Sequence, residues 1–486
     1  MMHSTLLFLA TVAAIVPAYA QAVINGNFEQ HCYGCKTQLA GWELSWPGRN
    51  VYCGPDGGGG DVELLIACRD TVDAVGFVEQ TITITEVKEP VIFSVSAQVR
   101  TKELTGKGAS LNIACYDANG GFLTNKDQGV FEFNWFQGTR ALQPASLKLL
   151  LPIGITVVKV GAIVNGRGQA WFDDFRTELT TLEGRVPDEA AVAYIGAACD
   201  TIRTHALYRD SIDIETLRAT ALKVAGAHND PRDHHLAVEY LLHALGDHHS
   251  FLMTAEEHTR WAGNESAVAV EHATHRVIDG YGYVSVPGFA SGDSLLMLAF
   301  ADSLQGALTS LENAGVRGWM IDLRQNTGGN MAPMVCGLGP LLDPGVLGTL
   351  TDVRGNVERW YYRNGEYGWD DLPLLRVVQP VTLTKKLPIA VLTAQQTGSS
   401  GECTTISFIG NSHTRSFGQP TFGLTTGNGQ FALPDGAQMF MASTIMGDRN
   451  GKLFHGPIIP DEVVEQPADW KYDAALDAAL KWLNAQ

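Results

Sequence analysis

Three segments of this chain hold residues whose types and spacing suit covalent chemistry. Thr397-Gly398-Ser399-Ser400-Gly401-Glu402 joins the apolar run Pro388 to Thr393 to a stretch that reads as a helix from about Ser399. A serine at such a turn sits at the positive end of a helix, where unpaired backbone N–H groups stabilise an alkoxide or a tetrahedral oxyanion. The same Gly-Ser-Ser-Gly run is also an ordinary helix cap, in which either hydroxyl satisfies an orphan donor. It is not the G-x-S-x-G elbow, which argues against an α/β-hydrolase. The second segment, Asp322-Leu323-Arg324-Gln325-Asn326-Thr327-Gly328-Gly329, follows the apolar strand Gly318 to Leu323. Its paired glycines allow close backbone approach, and their N–H groups can supply the other half of an oxyanion hole. Arg324 paired with Asp322 or Glu402 would hold the two turns together. The third segment, Asp247-His248-His249-Ser250-Phe251, offers two imidazoles, whose ordinary pKa suits a general base at neutral pH.

In chain order, Asp322 to Gly329 has the pattern D-x-R-x-N-x-G-G and Thr397 to Glu402 the pattern T-x-S-x-x-E. With Gly246-Asp247-His248-His249-Ser250-Phe251 before them and Gly456-Pro457-Ile458-Ile459-Pro460-Asp461 after, the chain from about Pro187 onward resembles the tail-specific serine peptidases. That group includes the C-terminal-processing peptidases and the tricorn core. The resemblance implies an α/β core of the crotonase/ClpP-like type, a peptide or protein substrate, no cofactor and no metal. It implies Ser399 as nucleophile, three residues before Glu402. Ser400 and either Gly328 or Gly329 would be the oxyanion donors, with Asp322, Arg324 and Asn326 in support. One position departs from the pattern. The C-terminal-processing branch takes its base from a Lys in an F-G-K-G-like stretch, and here Thr421-Phe422-Gly423-Leu424-Thr425 puts Leu424 there. The tricorn branch instead uses a His that maps to His249, with His248 as the competing candidate. A histidine base usually needs a carboxylate to fix its tautomer. The tricorn register for that acid falls on Phe454 to Pro457, which contain none, so Asp448 and Glu402 are the substitutes. Relatives often carry a PDZ domain after the His motif; the stretch from Phe251 to Tyr281 is too short for one.

Positioning these turns requires several folded layers. A chain of 486 residues exceeds one ordinary core. Residues 1–20 read as a signal peptide: an apolar run from Leu6 to Val16, then Ala18-Tyr19-Ala20 before Gln21. Residues 21–180 show short alternating segments such as Val91 to Val99 and Ser110 to Tyr116, broken by Gly-rich turns, which predict an all-β sandwich. Its opening Asn25-Gly26-Asn27-Phe28-Glu29 and closing Trp171-Phe172-Asp173-Asp174-Phe175 resemble the first and last strands of carbohydrate-binding jelly rolls. Trp42 and Trp46 would be the sugar platforms if exposed, core residues if not. A linker runs from Leu179 to Pro187, and residues 187–255 read as helical. Within them His235, Glu239, His243 and Asp247 recur at every fourth position; lacking H-E-x-x-H, they read as the polar face of a helix and not as metal ligands. Residues 256–486 alternate apolar strands and helices, which predicts an α/β layer with its site at the strand C-termini.

The formal net charge of −18 and the lack of any Lys/Arg-rich run exclude nucleic acid and anionic lipid as partners. No stretch after the leader reads as a membrane span, so the expected location is secreted or periplasmic. Export permits disulfides, and Cys32-Tyr-Gly-Cys35 reads as a local one. Two other functions compete with an exported peptidase: a non-catalytic relative that binds an apolar ligand, and a glycan-binding protein whose β domain dominates.

Overall fold

A computed structural model describes residues 23–47, 51–56, 61–69, 75–127, 135–227, 231–263, 271–465 and 472–486. The leader segment therefore lies outside the described residues, as does the side chain of Trp46. The chain divides between Leu182 and Glu183 into two compact units, with Trp135 counted in the second.

The first unit is predominantly β. Its strands are β1 (Glu43–Pro47), β2 (Val51–Asp56), β3 (Glu63–Cys68), β4 (Val75–Thr83), β5 (Val91–Asp117), β6 (Phe122–Asp127), β7 (Phe136–Leu151), β8 (Ile155–Asn165) and β9 (Gly168–Thr181). Strand β5 organises them. Its first half alternates Val91, Phe93, Val95, Ala97 and Val99 into the core and pairs with β7 and β9; its second half pairs with β8 and β6. Between the halves Glu103, Gly106 and Gly108 take positive φ, which lets one strand change partners. Trp42 is buried, 4.9 Å from Phe175 and 5.1 Å from Phe28, with its indole N–H donated to the Asn25 carbonyl. It is a core residue and offers no platform to a sugar; truncating such a side chain costs about 3–5 kcal/mol. Cys32 and Cys35 form the local disulfide.

The second unit begins with helices α1 (Glu189–His205), α2 (Ile214–Ala225) and α3 (Pro231–His243), then β10 (Phe251–Met253) and α4 (Ala255–Ala262). It continues through β11 (Thr274–Ile278), β12 (Tyr281–Ser285), α5 (Ser294–Asn313), β13 (Trp319–Asp322), α6 (Met331–Leu338), β14 (Gly345–Asp352), β15 (Val357–Arg363), β16 (Glu366–Trp369), β17 (Leu372–Arg376) and β18 (Ile389–Thr393). It ends with α7 (Ser400–Phe408), β19 (Thr414–Gly418), β20 (Thr426–Ala432), β21 (Gln438–Asp448), β22 (Glu462–Val463) and α8 (Ala474–Leu483). One sheet, in the order β11-β12-β13-β18-β19-β22, is parallel except for its β11 edge. Strands β13 and β18 are buried along their whole length, which is why they read as unbroken apolar runs. The other sheet, β10-β21-β14-β15-β16-β17 with β20 beside β21, is antiparallel. The sequence reading of 256–486 as one α/β layer missed this second sheet. Helix α5 is long and apolar enough to cross a membrane by length and composition, contrary to the reading that no stretch after the leader is. Its Phe300, Leu304, Leu308 and Leu311 are buried in the core of this unit.

Candidate active site

Apolar β18 ends at Thr393, and the chain turns through Thr397 and Gly398 into α7. Three contacts staple this turn to the one after β13: Gly398 donates its N–H to the Asn326 carbonyl (3.0 Å), Thr397 Oγ1 to the Leu323 carbonyl (2.9 Å) and Ser400 Oγ to the Gly329 carbonyl (2.6 Å). Ser399, the residue before the helix, sits at φ 51° and ψ −118°. That is a sparsely populated conformation for a non-glycine residue and costs about 1–3 kcal/mol. Its hydroxyl faces the His249 ring, with Nε2 2.8 Å from Oγ.

Glu402 lies behind the turn, fully buried. It accepts from the Ser399 N–H (2.9 Å), the Thr421 hydroxyl (2.5 Å) and the Gly423 N–H (2.9 Å). Burial raises its pKa, and these donors counter part of the rise. Glu402 therefore clamps the nucleophile turn and is not the carboxylate on the histidine. Nor is Asp448: its Oδ1 accepts from the N–H groups of Asn450 and Lys452, closing the turn after β21. The expectation that one of them would orient His249 is corrected by these contacts. The ring's other nitrogen, Nδ1, instead meets Thr426 Oγ1 at 2.8 Å.

His249 is held by its backbone as well. Its N–H donates to Asp247 Oδ1 (2.8 Å), and its carbonyl accepts from Asn428 Nδ2 (2.8 Å). Ser250 links the same turn to β21, donating Oγ to Asp247 Oδ2 (2.6 Å) and accepting the Ala442 N–H (2.9 Å). Desolvation pushes the His249 pKa down to about 4, with the Asp247 charge opposing it. The ring is thus neutral, the form able to take a proton, well below the ordinary imidazole range. His248 is exposed, in a left-handed backbone conformation.

Gly328 and Gly329 have φ of 109° and 105°. A Cβ on Gly328 would lie 2.8 Å from Ser399 Cβ, and one on Gly329 would lie 2.2 Å from the Phe289 carbonyl oxygen, so neither position has room for a side chain. Of the two oxyanion candidates, Gly328 has its N–H engaged by Asn326 Oδ1 (3.0 Å). Among the described residues no acceptor meets the N–H of Gly329 or of Ser400. Asn326 is fully buried and also donates to the Pro287 carbonyl. Arg324 pairs with Asp322 and with Asp473 at the start of α8, not with Glu402; Tyr283 donates its hydroxyl to Asp322 (2.6 Å). Leu424 stands where the branch with a lysine base has that residue, and its backbone N–H points to Glu402. On α3, His235 pairs with Asp435, while Asp247 closes the His249 turn.

Ser399 Oγ and His249 Nε2 thus face one another, and among the described residues the N–H groups of Gly329 and Ser400 are left without an acceptor. Residues 280–464 match the family model "Peptidase family S41". The chain carries a domain of peptidase family S41, a family of serine proteases. It is 28% identical over 298 residues to a nisin-resistance protein of Lactococcus lactis subsp. lactis, covering 60% of this chain and 87% of that protein. It is 26% identical over 279 residues to a carboxyl-terminal-processing protease of Synechocystis, covering 55% of this chain and 58% of that one. A solved structure of a lipoprotein from Streptococcus agalactiae superposes with a TM-score of 0.51 at 27% identity, covering 61% of this chain and 96% of the other. The S41 match includes both glycine-rich turns and Ser399 but begins after His249.

The sequence reading missed Thr426 and Asn428. No local pattern marks them, because their contacts to His249 join positions 177 and 179 residues apart.

Proposed function

We propose that this protein is an exported serine peptidase that cleaves peptide or protein substrates through an acyl-enzyme on Ser399. The observation that carries the reading is the 2.8 Å contact between His249 Nε2 and Ser399 Oγ. In the first step Oγ attacks the scissile carbonyl carbon and its proton passes to Nε2. The N–H groups of Gly329 and Ser400 receive the negative oxygen, and the imidazolium returns the proton to the departing amine. Water then repeats the sequence on the ester. Asp322, Arg324, Asn326 and Glu402 act by holding the two turns.

The S41 domain and the buried, mostly parallel sheet support a crotonase/ClpP-like core. The nisin-resistance and lipoprotein relatives support a place in the cell envelope or outside it. For the β unit we favour a jelly roll with a glycan partner. Tyr52, Lys102, Arg167 and Gln169 line a cleft of about 220 Å³ there, and a pull-down on insoluble polysaccharides tests that role.

A fluorophosphonate probe tests the main reading. Wild type should be labelled and a folded Ser399→Ala variant should not; equal labelling of both would refute the assignment.

A further inference from the structure

Resting on the Ser399–His249 reading, we infer that Thr426 is the positioning residue of the catalytic histidine: a neutral hydroxyl occupies the place where a triad has its carboxylate. The bonding leaves this role to no nearby acid. Asp247 spends its oxygens on the N–H groups of His249 and Ser250 and on Ser250 Oγ. Glu402 is behind the Ser399 turn, and Asp448 is closed on its own loop. Other elements at the ring bring no charge: β20 has no titratable side chain, and β10 has none. His248 follows Asp247 in the turn and is exposed.

The proton positions follow from the two contacts. For Nε2 to accept from Ser399 Oγ, the ring must carry its hydrogen on Nδ1, and Nδ1–H must then donate to Thr426 Oγ1. Thr426 thus selects the reactive tautomer and fixes the ring plane. It is suited to this, being buried, β-branched and paired with Ile445 on β21. Because the hydroxyl is uncharged, it orients the ring without raising its basicity, whereas a carboxylate in that place would raise it. The ring therefore stays neutral in mildly acidic surroundings, at the cost of weaker support for the imidazolium formed during attack.

The test measures the fluorophosphonate labelling rate of the full-length protein against pH in three variants, with folding checked by thermal melting. Thr426→Val should slow labelling about tenfold or more at neutral pH, the loss of one buried hydrogen bond. Thr426→Ser should restore the rate to within a few-fold. Thr426→Asp should move the acid limb upward by about one pH unit or more, an effect no packing role produces. The inference is overturned if Thr426→Val labels like wild type, if Thr426→Ser is no faster than Thr426→Val, or if a folded Thr426→Asp keeps the wild-type acid limb. Should Thr426→Val not fold, the Ser and Asp variants decide alone. Labelling of Ser399→Ala would defeat the underlying reading instead, so the two failures are separable.

Discussion

The two halves of the candidate site are built in opposite ways. The Ser399 turn is fixed mainly by backbone: a left-handed serine, two glycines with no room for a Cβ, and a buried Glu402 that grips the Ser399 N–H. The His249 turn is fixed by side chains arriving from elsewhere, with Thr426 on the ring and Asn428 on the carbonyl, both from β20. Ser399 is held in a strained geometry, and the short, densely bonded segment around it stores that strain. A base needs only the right distance and tautomer, which a distant strand can set.

Substitutions can break this contrast at several levels. His249→Ala should have the largest effect, lowering turnover about two to four orders of magnitude, while His248→Ala should cost much less. The accompanying pH profile is specific. A pKa depressed to about 4 leaves His249 unprotonated above that value, so the labelling rate should fall only as pH drops through roughly 4, not through the ordinary imidazole range near 6–7. A midpoint at 6–7 would show that the ring is better solvated than its surroundings imply. Glu402→Gln comes next. It keeps one acceptor oxygen but turns an amide NH2 toward the donors on the other side, either the Ser399 N–H or the Thr421 and Gly423 pair, so melting should show a loss of about 1–3 kcal/mol and labelling should slow roughly tenfold. An unchanged rate would mean that the backbone holds Ser399 without its clamp. Asp448→Asn should matter least, with a stability loss of about 1 kcal/mol and a labelling rate within about twofold of wild type. A hundredfold drop there would return this carboxylate to the histidine.

The unequal legibility of the site follows from the same contrast. Ser399 with Glu402, and Asn326 with the paired glycines, were readable because each set falls within one short turn of the chain. The Arg324 partner was half readable: Asp322 lies two positions away, whereas Asp473, the N-cap of α8, lies 149 positions on. Trp42 shows the same division in the β unit, since its type allowed either a platform or a core residue and only the ring contacts with Phe28 and Phe175 decided.

By itself the sequence determined the β-rich first unit, the helices before the His motif, the buried strands β13 and β18, and the two turns that follow them. All of these rest on periodicity or on residue types whose backbone demands are local. The antiparallel sheet was decided only in three dimensions. Strand β15 mixes charged and aromatic residues, and β20 is interrupted by Gly427 and Gly429. Only pairing with β21 defines β20 as a strand, and that pairing brings Thr426 to Nδ1 of His249. The nature of the third group in the site, a hydroxyl where a carboxylate was expected, was therefore fixed by strand register, which no spacing along the chain encodes.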